Sequence, residues 1–305
     1  MIAFFANIFG YVLNFIYNLV KNYGLAIIIF SILIKLLMIP ISIKQQKTMR
    51  KSTKIQKKMK EIQFKYKNNP EQLNQATMEL YKSENMSPFS GCFSAIAQII
   101  LLFAVFYLVR SPLTYMKKID DNVVNKYAKI IRENDLSTNS AYPQIEIIRE
   151  IDNIRNLRNN INDNEDQNTD LSEINEDELD SLYINMDFLG LNLAQVPTRS
   201  SDWKAYIIPV LYVVVSIISM RITNPTKKQE KPEENEDEKS LTKPEDDFDP
   251  MAQMNKNMNM MFPIMYVAVA LVAPLGLALY WLMNSLLMII ERLILNKVLK
   301  DEEEE

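Results

Sequence analysis

Charge and hydrophobicity are sorted into separate blocks along this chain, and that sorting limits its fold more than any motif does. Residues 23–43 carry a single charge, Lys35, while residues 89–109 and 260–290 carry none. The segments between these blocks are dense in Lys, Glu and Asp. The bulk composition, 48% hydrophobic and 24% charged, describes an ordinary soluble protein only because averaging erases the sorting. A helix rises about 1.5 Å per residue, so blocks of some 20 apolar residues fit a hydrocarbon core of ~30 Å. The chain therefore reads as an all-α integral membrane protein.

Five transmembrane helices are expected, with flanking elements of different character. Residues 1–21 contain no charge before Lys21, but Asn7, Gly10, Asn14, Asn18 and Lys21 form a stripe opposite Phe4, Phe5, Ile8, Val12, Phe15 and Leu19. That two-faced pattern suggests an amphipathic helix in the membrane interface; a sixth span is the alternative. The first span is 22–43, closed by Pro40. Residues 44–88 hold 11 Lys or Arg against 4 Glu. Such a cluster belongs on the cytoplasmic side, which puts the N-terminus outside and the C-terminus in the cytoplasm. Within it, Ile55, Met59, Ile62 and Tyr66, then Asn69-Pro70, then Leu73, Ala76 and Leu80 predict two helices in an antiparallel hairpin, shallowly packed and mobile. Its basic face includes Arg50, Lys51, Lys54, Lys57, Lys58 and Lys60.

The second span is 89–110 and the third 204–223. Between them residues 111–203 form an external loop; from Leu113 to Asp202 it carries 9 basic and 18 acidic residues. Its stretch from Asn159 to Asp180 reads as disordered or loosely helical. Residues 224–256 are a Lys/Glu/Pro-rich cytoplasmic linker. One straight helix over residues 260–290 would be about 46 Å long, so Pro274 and Gly276 are read as a turn between a short fourth span, 257–273, and a fifth, 274–296. A single kinked helix is the alternative. Residues 297–305 are an acidic tail.

The composition bears on chemistry too. Histidine is absent, which removes the commonest general base and zinc ligand and argues against a hydrolase or metalloenzyme. The single cysteine, Cys92, has no intrachain partner. No cofactor, metal or small-molecule substrate is expected.

Lys35 is the residue of most consequence. A cation within a span costs at least ~2.5 kcal/mol on insertion scales, so it usually faces protein or a water-filled cavity. Snorkelling is the alternative, but Lys35 precedes Ile43 by roughly 12 Å of helix, the limit of its reach. Gln98, Ser94, Ser31, Ser216 and Ser219, and Asn284 with Ser285, add polar groups to the inner half of the bundle. Each alone is unremarkable, since serines back-bond and amides join helices. Together with Lys35 they suggest a wet cationic groove open to the cytoplasm, which lowers the cost of moving a polar tail across the membrane. Met251, Met254, Met258, Met261 and Met265 step by three and four along one face, a surface suited to varied apolar clients or to ordinary packing.

Four strings in order resemble the YidC/Oxa-type membrane protein insertases of the compact Gram-positive kind. They are Ile34-Lys35-Leu36-Leu37-Met38-Ile39-Pro40; Leu80-Tyr81-Lys82 with Ser87-Pro88-Phe89-Ser90-Gly91-Cys92; Met186-Asp187-Phe188-Leu189-Gly190-Leu191-Asn192-Leu193; and Pro274-Leu275-Gly276-Leu277-Ala278-Leu279-Tyr280-Trp281. The resemblance implies a bacterial plasma-membrane insertase and chaperone, not an enzyme. It assigns client uptake to Lys35 in a hydrophilic groove and client or ribosome engagement to the hairpin. Its clients would be nascent membrane proteins with short translocated tails, delivered by the ribosome or through the Sec translocon and released into lipid. Lysine stands here where the family usually has arginine, and the Asp301–Glu305 tail is acidic where some members are basic. An ion or solute channel using the same lysine is the rival reading, and a membrane-anchored scaffold a third.

Overall fold

Between Leu25 and Lys65 only Pro40 interrupts a run of helix-compatible residues, and the chain forms one helix there. The computed structural model describes residues 2–67, 69–84, 90–136, 141–161, 174–223 and 268–304. The side chains of Arg50, Lys54, Lys57, Lys60, Ser94 and Gln98 lie outside the described residues. So do the linker and most of the expected fourth span, with the methionine stripe. Helix α1 is Ile2–Val20, α2 is Tyr23–Lys65, α3 is Pro70–Ser83 and α4 is Ser90–Arg110. Among the described residues three helices are long and apolar enough to cross a membrane, Ile2–Val20, Tyr23–Thr48 and Leu275–Val298. Ile99–Arg110 and Trp203–Ser219 are shorter apolar helices.

The expected break at Pro40 does not occur. Pro40 removes one backbone donor and crowds the carbonyl one turn earlier, which bends a helix without ending it when the flanking turns are sound. The 43-residue α2 therefore runs as a rod of roughly 65 Å from the first span into the basic hairpin. It begins on Asn22, whose side chain accepts from the Leu25 amide at 3.0 Å. The return arm α3 opens with Pro70 in its first turn and with Asn69 capping Gln72 at 3.2 Å. Ile55 and Leu80 are buried between the arms, and Thr77 donates to the Met59 sulfur at 3.6 Å. Lys58 and Glu84 pair at 2.6 Å near the hairpin's open end. The hydrogen bond from Lys58, then its charge, lowers the Glu84 pKa.

Helix α1 turns two faces to different surroundings. Ala6, Gly10, Leu13, Ile16 and Tyr17 are buried, whereas Phe4, Ile8, Tyr11, Phe15 and Leu19 are exposed. Gly10 lies so close to α5 (Pro112–Tyr115) that a Cβ there would sit 1.8 Å from the Tyr115 carbonyl oxygen. The expected polar stripe partly faces protein: Asn7 accepts from Lys118 Nζ at 2.7 Å.

The acidic segment between the expected second and third spans is more ordered than its composition suggests. It forms α6 (Asp121–Glu133), α7 (Pro143–Arg149), α8 (Ile151–Ile161) and α9 (Glu176–Leu182). Tyr127, Ile131, Ile147, Ile154, Leu179 and Leu182 are buried. Residues 174–180 fall within the stretch read as disordered or loosely helical, yet Ile174 and Leu179 join this core. The acidic residues around them are neutralised locally. Arg155 reaches Asp152, Glu176 and Asp180 at 3.0–3.2 Å, and Arg158 reaches Glu176 at 2.6 Å.

A two-residue antiparallel ladder, β1 (Asp187–Phe188) with β2 (Leu191–Asn192), follows. Both central residues of its turn have positive φ, 51° at Leu189 and 76° at Gly190, the geometry that tight hairpins with right-handed twist require. The chain then enters α10 (Ile207–Thr223) and, after a helical stretch at 268–272, α11 (Leu275–Glu304). The helix is interrupted at Ala273-Pro274, so a continuous straight helix is ruled out there. Gly276 is not part of a turn as expected; it lies in the first turn of α11.

The Gly10 contact yields a test. Gly10→Leu forces α1 away from α5 and should cost about 1–3 kcal/mol, read as a lower unfolding midpoint of the detergent-solubilised protein. An unchanged midpoint would contradict the contact.

Candidate functional site

The site is built by two helices held side by side and running in the same direction. At their outer ends, Tyr23 N–H donates to Asn185 O at 3.0 Å, while Leu275 and Gly276 N–H donate to Gln195 O and Leu193 O, each at 2.9 Å. The ladder segment thus clasps the N-termini of α2 and α11 together. Asn22 Nδ2 adds a bond to Asp187 O at 2.6 Å. Phe188 lies against Gly24, where a Cβ would meet its ring at 2.4 Å. Tyr23 and Ile27 flank Gly276, where a Cβ would lie 3.4 Å and 3.7 Å from them. Toward the inner ends, Gln46 Nε2 donates to Asn296 Oδ1 at 2.6 Å.

Between these two attachments lies the charge. Ile27, Ser31 and Lys35 are spaced by four on one face of α2, and Asn284, Met288 and Glu291 by four and three on one face of α11. Lys35 Nζ lies 2.6 Å from Glu291 Oε2, with the two side chains 19% and 14% exposed. Glu291 was not among the residues expected here. It lies within the expected fifth span, 274–296, beside Arg292. Its seven-residue spacing from Asn284 was the available signal, because that spacing places both on one helical face.

The other expected residues divide. Ser31 is buried, and its hydroxyl donates to Ile27 O at 2.7 Å, the back-bond that satisfies a serine without a ligand. Asn284 and Ser285 are half-buried on α11, and Ser216 is half-buried on α10. Ser219, one turn beyond Ser216, lies 3.9 Å from Met288 Sδ, one turn above Glu291. Lys51 and Lys58 are exposed on the hairpin, and Phe64 near its tip is 78% exposed.

Burying an unpaired charge in a span is costly, and deleting one member of a buried pair typically costs about 3–5 kcal/mol because the other is stranded. Glu291 Oε1 is buried and meets no donor among the described residues. The arrangement therefore presents, within an apolar bundle, one ammonium, one carboxylate with spare acceptor capacity, and nearby amide and hydroxyl groups.

These features define a multi-pass helical membrane protein with a charged pair between two apolar helices and a basic helical hairpin continuous with one of them. The family described as 60Kd inner membrane protein matches residues 15–303, and the chain belongs to that family, the YidC/Oxa family that its four motifs resemble. A relative named membrane protein insertase YidC from Caldanaerobacter subterraneus is 38% identical over 102 residues, 33% of this chain and 50% of that protein. One of the same name from Fusobacterium nucleatum is 39% identical over 102 residues, again 33% and 50%. One from Chlorobaculum tepidum is 43% identical over 102 residues, 33% of this chain and 17% of that protein. The matched stretch spans half or less of each relative.

A double-mutant cycle tests the pair. Lys35→Met and Glu291→Leu should each lower stability by about 3 kcal/mol. The double variant should lose at least ~1 kcal/mol less than the sum of the two. Additive losses in detergent unfolding would show that the side chains do not meet.

Proposed function

We propose that this protein is a membrane protein insertase and chaperone of the bacterial plasma membrane. It takes the polar tail of a nascent client into a hydrophilic groove around Lys35 and releases the client's apolar segment into lipid. The observation that carries the reading is an ammonium set in the apolar half of α2, ion-paired and not fully enclosed by protein. Ser31, Ser94, Gln98, Ser216, Asn284 and Ser285 complete the groove. The names of the relatives support the same activity.

The physics is a shortened barrier. A tail entering a wet, charged hollow meets water and an ammonium before hydrocarbon, so the apolar distance it must cross falls. A short fourth span at 257–273 thins the bilayer further. No nucleotide or bound cofactor is required. Five spans place the N-terminus outside, the hairpin and C-terminus in the cytoplasm, and the acidic helical segment outside. The hairpin, continuous in one helix with the span that carries Lys35, meets clients or ribosomes with its basic face; clients arrive co-translationally or from the Sec translocon.

Two measurements test this. In an insertase-depleted strain, Lys35→Ala should abolish insertion of clients with acidic tails and Lys35→Arg should retain it, since the guanidinium keeps the charge. Equal activity of both would remove the groove mechanism, and loss in both would show that more than the charge is needed. Cysteines at positions 60 and 160 should label from opposite sides of the membrane; labelling from one side would overturn the topology.

A further inference from the structure

We infer that Glu291 is a resident stand-in for the client's carboxylate: it occupies Lys35 in the empty protein and yields it to an acidic residue of the incoming tail, setting which tails are taken up. This inference rests on the insertase reading above.

Three observations carry it. First, the Lys35 ammonium is engaged at 2.6 Å, so an anionic tail meets an occupied site. Second, the pair does not hold its helices together alone. Backbone bonds from Tyr23, Leu275 and Gly276 fix the outer ends and Gln46–Asn296 fixes the inner ends, so the pair can open while the scaffold stays. Third, Glu291 Oε1 is buried and meets no donor among the described residues, so this carboxylate keeps acceptor capacity for a tail amide N–H once Oε2 is released.

The exchange follows from charge balance. Replacing one carboxylate by another at Lys35 keeps the ammonium paired throughout, and the displaced Glu291 is resolvated from the partly open side. A neutral tail offers no such exchange and leaves the Lys35–Glu291 pair closed, so Glu291 competes with acidic tails and not with neutral ones. The internal carboxylate is tethered next to its partner, so its effective concentration is high and only tails that present an acid in register compete with it. Glu291 is thus a specificity-determining residue: it suppresses weak anionic binding and leaves neutral tails unassisted.

The test uses the full chain in the insertase-depleted strain with two single-span clients whose short tails differ by one Asp→Asn change. The readout is the ratio of acidic-tail to neutral-tail insertion. Glu291→Gln frees Lys35 and removes the occupied, incompetent state, so the ratio should rise by roughly fivefold or more. Glu291→Asp keeps the charge but shortens its reach, so its ratio should fall between parent and Gln. If the Gln variant does not accumulate in the membrane, the parent–Asp comparison carries the test. Ratios equal to the parent's in both variants, with Lys35→Ala abolishing the acidic preference, would overturn this role for Glu291 and leave the groove standing. An acidic preference that survives Lys35→Ala would overturn both.

Discussion

An ammonium placed among apolar helices must be solvated by something, and the rest of this architecture follows from how that is done. Lys35 is answered by Glu291 from a helix that lies far away in sequence. A pair of that length in a low-dielectric setting depends on helix positions held to within about an ångström, because its attraction only offsets desolvation when the geometry is good. The clasp formed by residues 185–195 supplies that precision at the outer ends of α2 and α11, and the Gln46–Asn296 bond supplies it toward the inner ends.

This ordering gives the outer region a purpose within the fold. Tyr17 accepts from the Asn185 amide at 2.9 Å, and Asn185 donates to Lys21 O at 3.2 Å, so the same segment that clasps α2 and α11 also ties down the end of α1. The two-residue turn at Leu189-Gly190 lets the chain reverse tightly enough for Phe188 to pack on Gly24 while Leu193 and Gln195 reach α11. The backbone bonds at the N-terminal ends of α2 and α11 are what position the charge between those helices.

Much of this was legible in the sequence, for local reasons. A lone lysine in an apolar run announces itself, and the spacing of Ile55 and Leu80 about the Asn69-Pro70 break sufficed to predict a hairpin whose arms bury those two residues. What was hidden depended on distant contacts or on averaging. Glu291 lies within the expected fifth span, but nothing local ties it to Lys35 until α2 is laid against α11. Pro40 looks like a terminus because proline's local cost is visible, while the sound turns on either side that carry the helix through it are not. The helices of the acidic segment were masked by its composition, although Ile145, Ile148, Ile151 and Ile154 recur every three residues and are all buried.

The central claim is that position 35 is wetted from the inner side of the membrane by a hollow between helices. It is tested most directly by replacing Lys35 with cysteine in a Cys92→Ser background and exposing oriented vesicles to a membrane-impermeant thiol reagent. Labelling from the cytoplasmic face alone is the predicted result. A thiol that resists the aqueous reagent from both faces yet reacts with a lipid-dissolved one would contradict the account.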